Sequence, residues 1–201
     1  MELLLIRHFP TPGNRLRQYI GSTDEALDRE AIDHIKKKLG EFAQLYPEVD
    51  CVVASPMKRC VQTAKLLFPD SEILLCPEMR ESDFGDFEGK TYDELKDHPV
   101  YQQWIESGGM TAFPNGESRA KFQKRCVSGM EKMMNLLLER GCSRAAVVVH
   151  GGTIMSVLSG FDPENREFYH WQVENGKGFK VFVDESSWRQ GEKQFLKITK
   201  L

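Results

Sequence analysis

Glu2-Leu3-Leu4-Leu5-Ile6-Arg7-His8 is the stretch from which the rest of the chain is read. Leu3 to Ile6 form a short unbroken apolar run, the pattern of a strand buried on both faces. The run stops at Arg7-His8 and passes into Phe9-Pro10-Thr11-Pro12-Gly13-Asn14, where two prolines and a glycine force a loop. Arg7 and His8 are therefore expected at the carboxyl end of a central strand, where open α/β sheets place their ligands. Taken alone, the pair could equally cap an ordinary core strand.

The whole sequence suits a soluble globular protein. It has 201 residues, 40% of them hydrophobic and 28% charged, enough for one substantial core without a second domain. We expect a single domain over residues 1–201. A net charge of −3 gives no reason to expect nucleic acid or an anionic membrane as partner. No apolar run approaches the roughly 20 residues that span a bilayer. The leucine run follows an acid instead of a basic segment, so it does not read as a signal peptide. Cys51, Cys60, Cys76, Cys126 and Cys142 form an odd set with no C-x-x-C pair, and most lie in apolar surroundings. Buried free thiols in a reducing cytoplasm are expected, with the protein itself cytoplasmic.

Further along, Leu27, Ala31, Ile35, Leu39 and Phe42 recur at helical spacing and predict an amphipathic helix from Leu27 to Tyr46. Its Lys36-Lys37-Lys38 run reads as a solvated face. Cys51 to Ala54 reads as a second strand, and Ser55-Pro56 as the opening of a helix carrying Met57, Val61 and Ala64. Glu72 to Cys76 is a third strand. Thr91-Tyr92-Asp93-Glu94 is a capping box. The strongest helical stripe, Phe122, Cys126, Met130, Met133 and Leu137, lies within Glu117 to Arg140. Ala145 to Val149 is a fourth strand, ending at His150-Gly151-Gly152-Thr153 before a helix near Ile154 to Ser159. Phe179 to Val183 and Phe195 to Ile198 suggest two late strands. Alternating strands and helices predict one α/β domain with a mostly parallel central sheet flanked by helices.

This order has chemical consequences. The first strand ends in Arg7-His8, the second leads to Arg59, the fourth ends in His150, and the turn after the third holds Glu81. If these strands are neighbours, two arginines, two histidines and a carboxylate meet at one sheet edge. Singly, each has a plainer reading: Arg59 as an exposed helix arginine, His150 as a core histidine, Glu81, Asp83, Asp86 and Glu88 as turn and surface acids. Glycines after His150 also let backbone amides approach an anion. A metal site built on the histidines with Glu81 or Asp83 is the chemical rival. Two fixed guanidinium charges would repel a cation and attract phosphate, and there is no H-x-H or H-x-x-x-H pair. No metal is expected.

Five blocks, taken together, resemble the histidine phosphatase (phosphoglycerate mutase-like) superfamily. They are Arg7-His8-Phe9-Pro10-Thr11-Pro12-Gly13-Asn14, Ser55-Pro56-Met57-Lys58-Arg59-Cys60-Val61-Gln62-Thr63-Ala64, Met79 to Gly89, Pro114-Asn115-Gly116-Glu117-Ser118, and Val148-Val149-His150-Gly151-Gly152. They follow family order along nearly the whole chain. Phe9 departs from the glycine usual after the histidine and is expected to reshape the mouth of the pocket.

The resemblance implies that His8 is the nucleophile, forming a phosphohistidine. It implies that Arg7, Arg59 and His150 hold the phosphoryl oxygens, with Asn14 as a neutral donor, and that Glu81 protonates the leaving alcohol. No cofactor is implied, and the only partner is a small-molecule phosphomonoester. Only Lys90 to Phe113 separate the third and fourth blocks, shorter than in family mutases, which favours a phosphatase over a mutase. Phe84 to Glu88, Trp104, Phe113 to Glu117 and Tyr169 to Gly176 are similar to the α-ribazole phosphatases of cobalamin assembly. Their substrate, α-ribazole 5′-phosphate, is the leading expectation, with a sugar or glycerate phosphate next. Phe9 and Trp104 would then offer apolar surface to a flat base, although Trp104 could instead be core. An inactive phosphoryl-binding protein is the alternative of another class. The full set His8, Arg7, Arg59, Glu81 and His150 argues against it.

Overall fold

Leu3, Leu4, Leu5 and Ile6 lie in strand β1 (Glu2–Arg7), each at most 1% exposed. The computed structural model describes residues 1–201, the side chain of Leu39 excepted. After β1 come α1 (Pro12–Arg15), α2 (Arg29–Lys37), α3 (Leu39–Leu45), β2 (Cys51–Ala54), α4 (Lys58–Leu67) and β3 (Ile73–Leu75). Then follow α5 (Tyr92–Leu95), α6 (Pro99–Glu106), α7 (Arg119–Glu139), β4 (Arg144–Val149), α8 (Gly151–Phe161), β5 (Gly178–Phe182), α9 (Glu185–Arg189) and β6 (Lys197–Lys200). Tighter single turns occupy Pro77–Met79, Gly85–Phe87 and Phe168–Trp171.

Among the described residues the strands form one six-stranded sheet in the order β3-β2-β4-β1-β5-β6. The first four in that order run parallel, while β5 is antiparallel to both β1 and β6. The mostly parallel sheet is thus as expected, with its late pair of strands, the last of which runs from Lys197 to Lys200 instead of from Phe195 to Ile198. Its two-sided burial explains the unbroken apolar run. Leu3 and Leu5 join Val147 and the α7 residues Met130 and Leu137 in one core, whereas Leu4 and Ile6 join Val52, Ala146, Cys60 and Ala64 in the other. Each such fully buried Leu or Ile contributes about 2 kcal/mol of apolar burial.

Between β3 and α7 the chain leaves the sheet and builds a cap. Phe87, Leu95, Tyr101 and Phe113 form its own small core, with Tyr19, Phe84 and Trp104 packed against it. The Thr91–Glu94 capping box is present, but it starts only the four-residue α5.

Three expectations are corrected. The helix expected from Leu27 to Tyr46 is two, α2 and α3, broken at Lys38 (φ −111°, ψ 14°). Asp28 caps α2 by accepting the Ala31 amide, so Leu27 lies in the preceding loop, and Gly40 weakens the restart. The expected place of Leu39 in that stripe lies outside the described residues. Helix α4 opens at Lys58 and not at Ser55-Pro56, because the Ser55 amide continues the sheet ladder to the Val148 carbonyl (3.0 Å). Finally, Cys51 and Cys142 are joined in a disulfide, while Cys60, Cys76 and Cys126 are free and buried as expected. Cys51 opens β2, opposite Ala145 of the neighbouring β4, which brings Cys142 alongside; the pairing spans 91 residues of sequence. No helix among the described residues is long and apolar enough to cross a membrane.

Candidate active site

The β1–β4 register pairs Arg7 with Val149, and the ladder continues one step as the His8 amide donates to the Val149 carbonyl (2.9 Å). His8 and His150 therefore leave the two central strands side by side, their rings 5.2 Å apart between centroids and inclined by 67°. Beside them Ser55 leaves β2. These are carboxyl ends of adjacent parallel strands with chain departing to different sides, the crevice where such sheets bind ligands.

His8 is 4% exposed. Its Nδ1 lies 2.6 Å from the carbonyl oxygen of Phe9, which can only accept, so Nδ1 carries the proton and Nε2 the lone pair. Burial, then the charge of Arg59, holds the ring well below the usual histidine range, with Arg7 adding to the effect against the pull of the Phe9 carbonyl. A neutral imidazole with its lone pair on Nε2 is a nucleophile. The His8 carbonyl is held from the other side by Asn175 Nδ2 at 3.0 Å, and the Phe9 amide by Thr63 Oγ1 at 3.0 Å.

The two guanidinium groups are held differently. Arg7 donates through Nη1 to the Val173 carbonyl (2.6 Å), while its buried Nε makes no hydrogen bond. A buried charged donor left unpaired is costly unless an anionic oxygen comes to it. Gly151 admits this side chain: a Cβ there would stand 3.3 Å from Arg7 Cζ. Arg59, fully buried on α4, donates Nη1 to the Thr23 carbonyl (2.7 Å), Nη2 to the Gly21 carbonyl (2.8 Å) and Nε to His150 Nδ1 (3.2 Å). Because His150 Nδ1 accepts, its Nε2 carries the proton and donates to Ser55 Oγ at 2.8 Å. Both ring nitrogens of His150 are thus engaged.

Glu81 enters from the segment after β3. Its Oε1 accepts the Ser82 amide and its Oε2 the Gly152 amide, each at 3.0 Å. Burial raises its carboxyl above the ordinary range, against the pull of those two amides and of Arg59 and Arg7. Such a group can give up a proton at a pH where an exposed glutamate already has. Gly152 makes the approach possible, since a Cβ there would fall 2.3 Å from Glu81 Oε1. Asn14 sits at the N3 position of α1, its Oδ1 accepting the Thr11 amide (3.2 Å) and Asn175 Nδ2 (3.3 Å). Its own amide nitrogen remains available as a donor. Arg7, Asn14 and Glu81 line a cavity of about 520 Å³.

The family model for the histidine phosphatase superfamily (branch 1) matches residues 3–192. The chain belongs to that superfamily. Phosphoglycerate mutase-like protein 4 of Arabidopsis thaliana is 27% identical over 83% of this chain and 73% of its own length. A broad-specificity phosphatase of Saccharomyces cerevisiae is 27% identical over 98% of this chain and 83% of that protein. A bifunctional protein of Mycobacterium tuberculosis is 27% identical over 78% of this chain, which spans 40% of that longer protein. The crystal structure of the α-ribazole phosphatase from Shigella flexneri superposes with a TM-score of 0.77 at 22% identity, covering 92% of each chain, and so shares the fold.

In this member of the superfamily Phe9 does not shape the mouth of the cavity, contrary to expectation. It is 2% exposed and packs away from the cavity, with Leu27, Ile35 and Phe42, against the bare α-carbon of Gly176. Trp104 does line the cavity, while its other face stacks on Tyr101 (5.8 Å) in the cap core. Wall and core are therefore both correct readings of it. Glu88, read as a turn or surface acid, is an internal anchor: its carboxylate accepts the amides of Gly21, Ser22, Thr23 and Phe84 and the Thr23 hydroxyl. It thereby shapes the loop whose carbonyls hold Arg59. Thr63, Asn175 and Arg125 also serve the site unforeseen. Thr63 falls inside a quoted block and Asn175 inside the Tyr169 to Gly176 stretch, the one signal that could have found them.

Proposed function

We propose that this superfamily member is a phosphomonoesterase working without a metal, through a phosphohistidine on His8. The observation that carries the reading is the bare Nε2 of a neutral, buried His8, with the unpaired Nε of Arg7 and a proton-retaining Glu81 at the same sheet edge. His8 Nε2 attacks phosphorus, the P–O bond to the alcohol breaks, and Glu81 gives its proton to the departing oxygen. Water then attacks the phosphohistidine while the Glu81 carboxylate takes its proton, and the N–P electron pair returns to Nε2. Arg7, Arg59 and Asn14 offer donors to the three phosphoryl oxygens, and His150 can offer its Nε2–H in place of the bond to Ser55. The guanidinium groups supply the positive charge.

A pH profile follows. Glu81 must hold its proton in the first step, so turnover of an alkyl phosphate falls as pH rises through the raised Glu81 value. His8 must be neutral, so the fall on the acid side comes well below the usual histidine range. In Glu81→Gln the alkaline fall disappears and the remaining activity is low. An unchanged alkaline limb in that variant assigns the proton to another group.

The cavity supports a small substrate with a flat ring. Tyr19, Phe84, Trp104, Phe113 and Phe168 contribute walls, and its size is within the range of small-molecule sites. Arg119 lies over the Phe168 ring at 4.3 Å, adding a cation beside the aromatic wall. We therefore take α-ribazole 5′-phosphate as the leading substrate. Across a panel assayed with chelator present, its kcat/KM is expected to exceed that of 3-phosphoglycerate and of sugar phosphates by about tenfold or more. The reverse order rejects the substrate. Isomerised phosphoglycerate instead of free phosphate would make the protein a mutase, as the name of the Arabidopsis relative would have it.

A further inference from the structure

The segment that carries Glu81 has no regular structure of its own. Arg80 to Phe84 lie between two single turns, outside the sheet ladder and outside any helix. Three carbonyls in it and in the turn before it accept from one side chain of α7. Arg125 donates Nη1 to the carbonyls of Glu78 (2.7 Å) and Arg80 (2.9 Å), and Nη2 to the carbonyl of Glu81 (3.3 Å). The same guanidinium is oriented by Glu117, with Nη2 donating to Oε2 (2.6 Å) and Nε to Oε1 (3.1 Å). Five contacts engage all three nitrogens, and the planar fork sets their directions together. Only 24% of the Arg125 side chain and 16% of Glu117 is exposed, so solvent competes weakly for these bonds.

The geometry points to Arg125, oriented by Glu117, as the positioning residue that fixes the aim of Glu81 in proton transfer; this rests on Glu81 being the proton donor. The Glu81 carboxyl is tethered to Ser82 of its own segment and to Gly152 of α8, but its backbone is tethered by Arg125. Loss of the guanidinium leaves the Glu78 and Glu81 carbonyls without their donor, leaves the Arg80 carbonyl only the Thr153 hydroxyl at 3.5 Å, and lets the Cα of Glu81 drift from Gly152. Every donor of Arg125 is committed to Glu117 or to a backbone carbonyl, so it acts through Glu81, not on the phosphoryl group. An error of about 1 Å in aiming a catalytic group costs up to a hundredfold in rate. Within the first step, that loss appears only where the leaving group needs a proton.

The test compares an alkyl phosphate, glycerol 1-phosphate, with p-nitrophenyl phosphate, whose phenolate leaves without a proton; each is read as the single-turnover rate of leaving-group release, because Glu81 serves as base in the second step on either ester. Arg125→Met is expected to lower this first-step rate on the alkyl ester by tenfold to a hundredfold. On the aryl ester the loss in that step is less than about threefold, with substrate affinity for both nearly unchanged. Arg125→Lys restores part of the alkyl-ester rate. In the Glu81→Gln background, adding Arg125→Met costs less than about threefold on either ester, because the two act through one proton transfer. If Arg125→Met does not fold, as judged by thermal unfolding, Arg125→Lys and Glu117→Gln undergo the same comparison. Equal losses on both esters, or a full further loss in the Glu81→Gln background, overturn the inference and leave Arg125 a structural clamp. Should Glu81→Gln itself affect both esters equally, the donor is misassigned and the inference falls with it; Glu81→Gln selective for the alkyl ester while Arg125 variants are not rejects the positioning role alone.

Discussion

His8→Ala is expected to reduce phosphate release by a factor on the order of 10⁴ or more on every phosphomonoester, whatever its leaving group. The reason is local. His8 offers the one lone pair on this sheet edge that is both neutral and unshared, since Nδ1 is committed to the Phe9 carbonyl and both nitrogens of His150 are bonded. No neighbour can take over. Cys60, in contact with the His150 ring, is fully buried, and burial pushes its thiol far up, so it offers no thiolate. The substitution leaves Arg7 and Arg59 in place, so inorganic phosphate should still bind the variant while turnover is lost. Single-turnover kinetics with a phosphate-binding measurement checks both. Retention of even a tenth of the activity would remove His8 from the chemistry.

Arg59→Ala is expected to lower kcat/KM by a hundredfold to a thousandfold, and its sequence neighbour Lys58→Ala by less than twofold. A charge-assisted contact to the moving phosphoryl group contributes roughly 3 kcal/mol, which is about that factor. Arg59 is fully buried and ties α4 to the loop at Gly21 and Thr23 and to His150. Its removal should also cost about 1–3 kcal/mol of stability for acceptors left without their donor. Lys58 points about 100° away around the helix, 64% of its side chain exposed, toward Asp24 at 3.8 Å. Steady-state kinetics of the two variants, with their thermal unfolding, separates the cases; equal losses would mean that α4 does not bring Arg59 to the substrate.

How far the site is legible in the sequence follows from how local its determinants are. The run Leu3–Ile6 is readable because burial on both faces forces every position to be apolar, and the turn chemistry after His8 is explicit. Helix α7 is readable for the same kind of reason: a long stripe repeats one signal over many turns. Signals that depend on a distant partner are not. The break at Lys38 reflects packing of Ile35 with Phe9 and Leu27, and the Cys51–Cys142 pairing depends on β2 lying beside β4. Phe9 looked like a pocket residue because it follows His8, but the backbone turns it toward Gly176 and Phe42. Glu88 and Arg125 carry charges of the sort usually found in water. Their roles appear only when the amides of residues 21 to 23 and the carbonyls of residues 78 to 81 are seen to converge on them. Charge count reports solvation by default, and backbone partners leave no mark in a sequence.

The most direct test of the account is to find where the phosphoryl group rests between the two steps. The enzyme is mixed with substrate carrying a radioactive phosphoryl group and stopped within one turnover by an alkaline denaturant, since a nitrogen–phosphorus bond breaks once its nitrogen is protonated. Peptide mapping then locates the label. The account predicts one labelled peptide, with phosphate on the imidazole of His8, which loses its label when unlabelled substrate is chased in. Label on His150 or on Ser55, or a full turnover with no labelled protein at all, which is also what an alkali-labile phosphate on a carboxylate would leave, would contradict it.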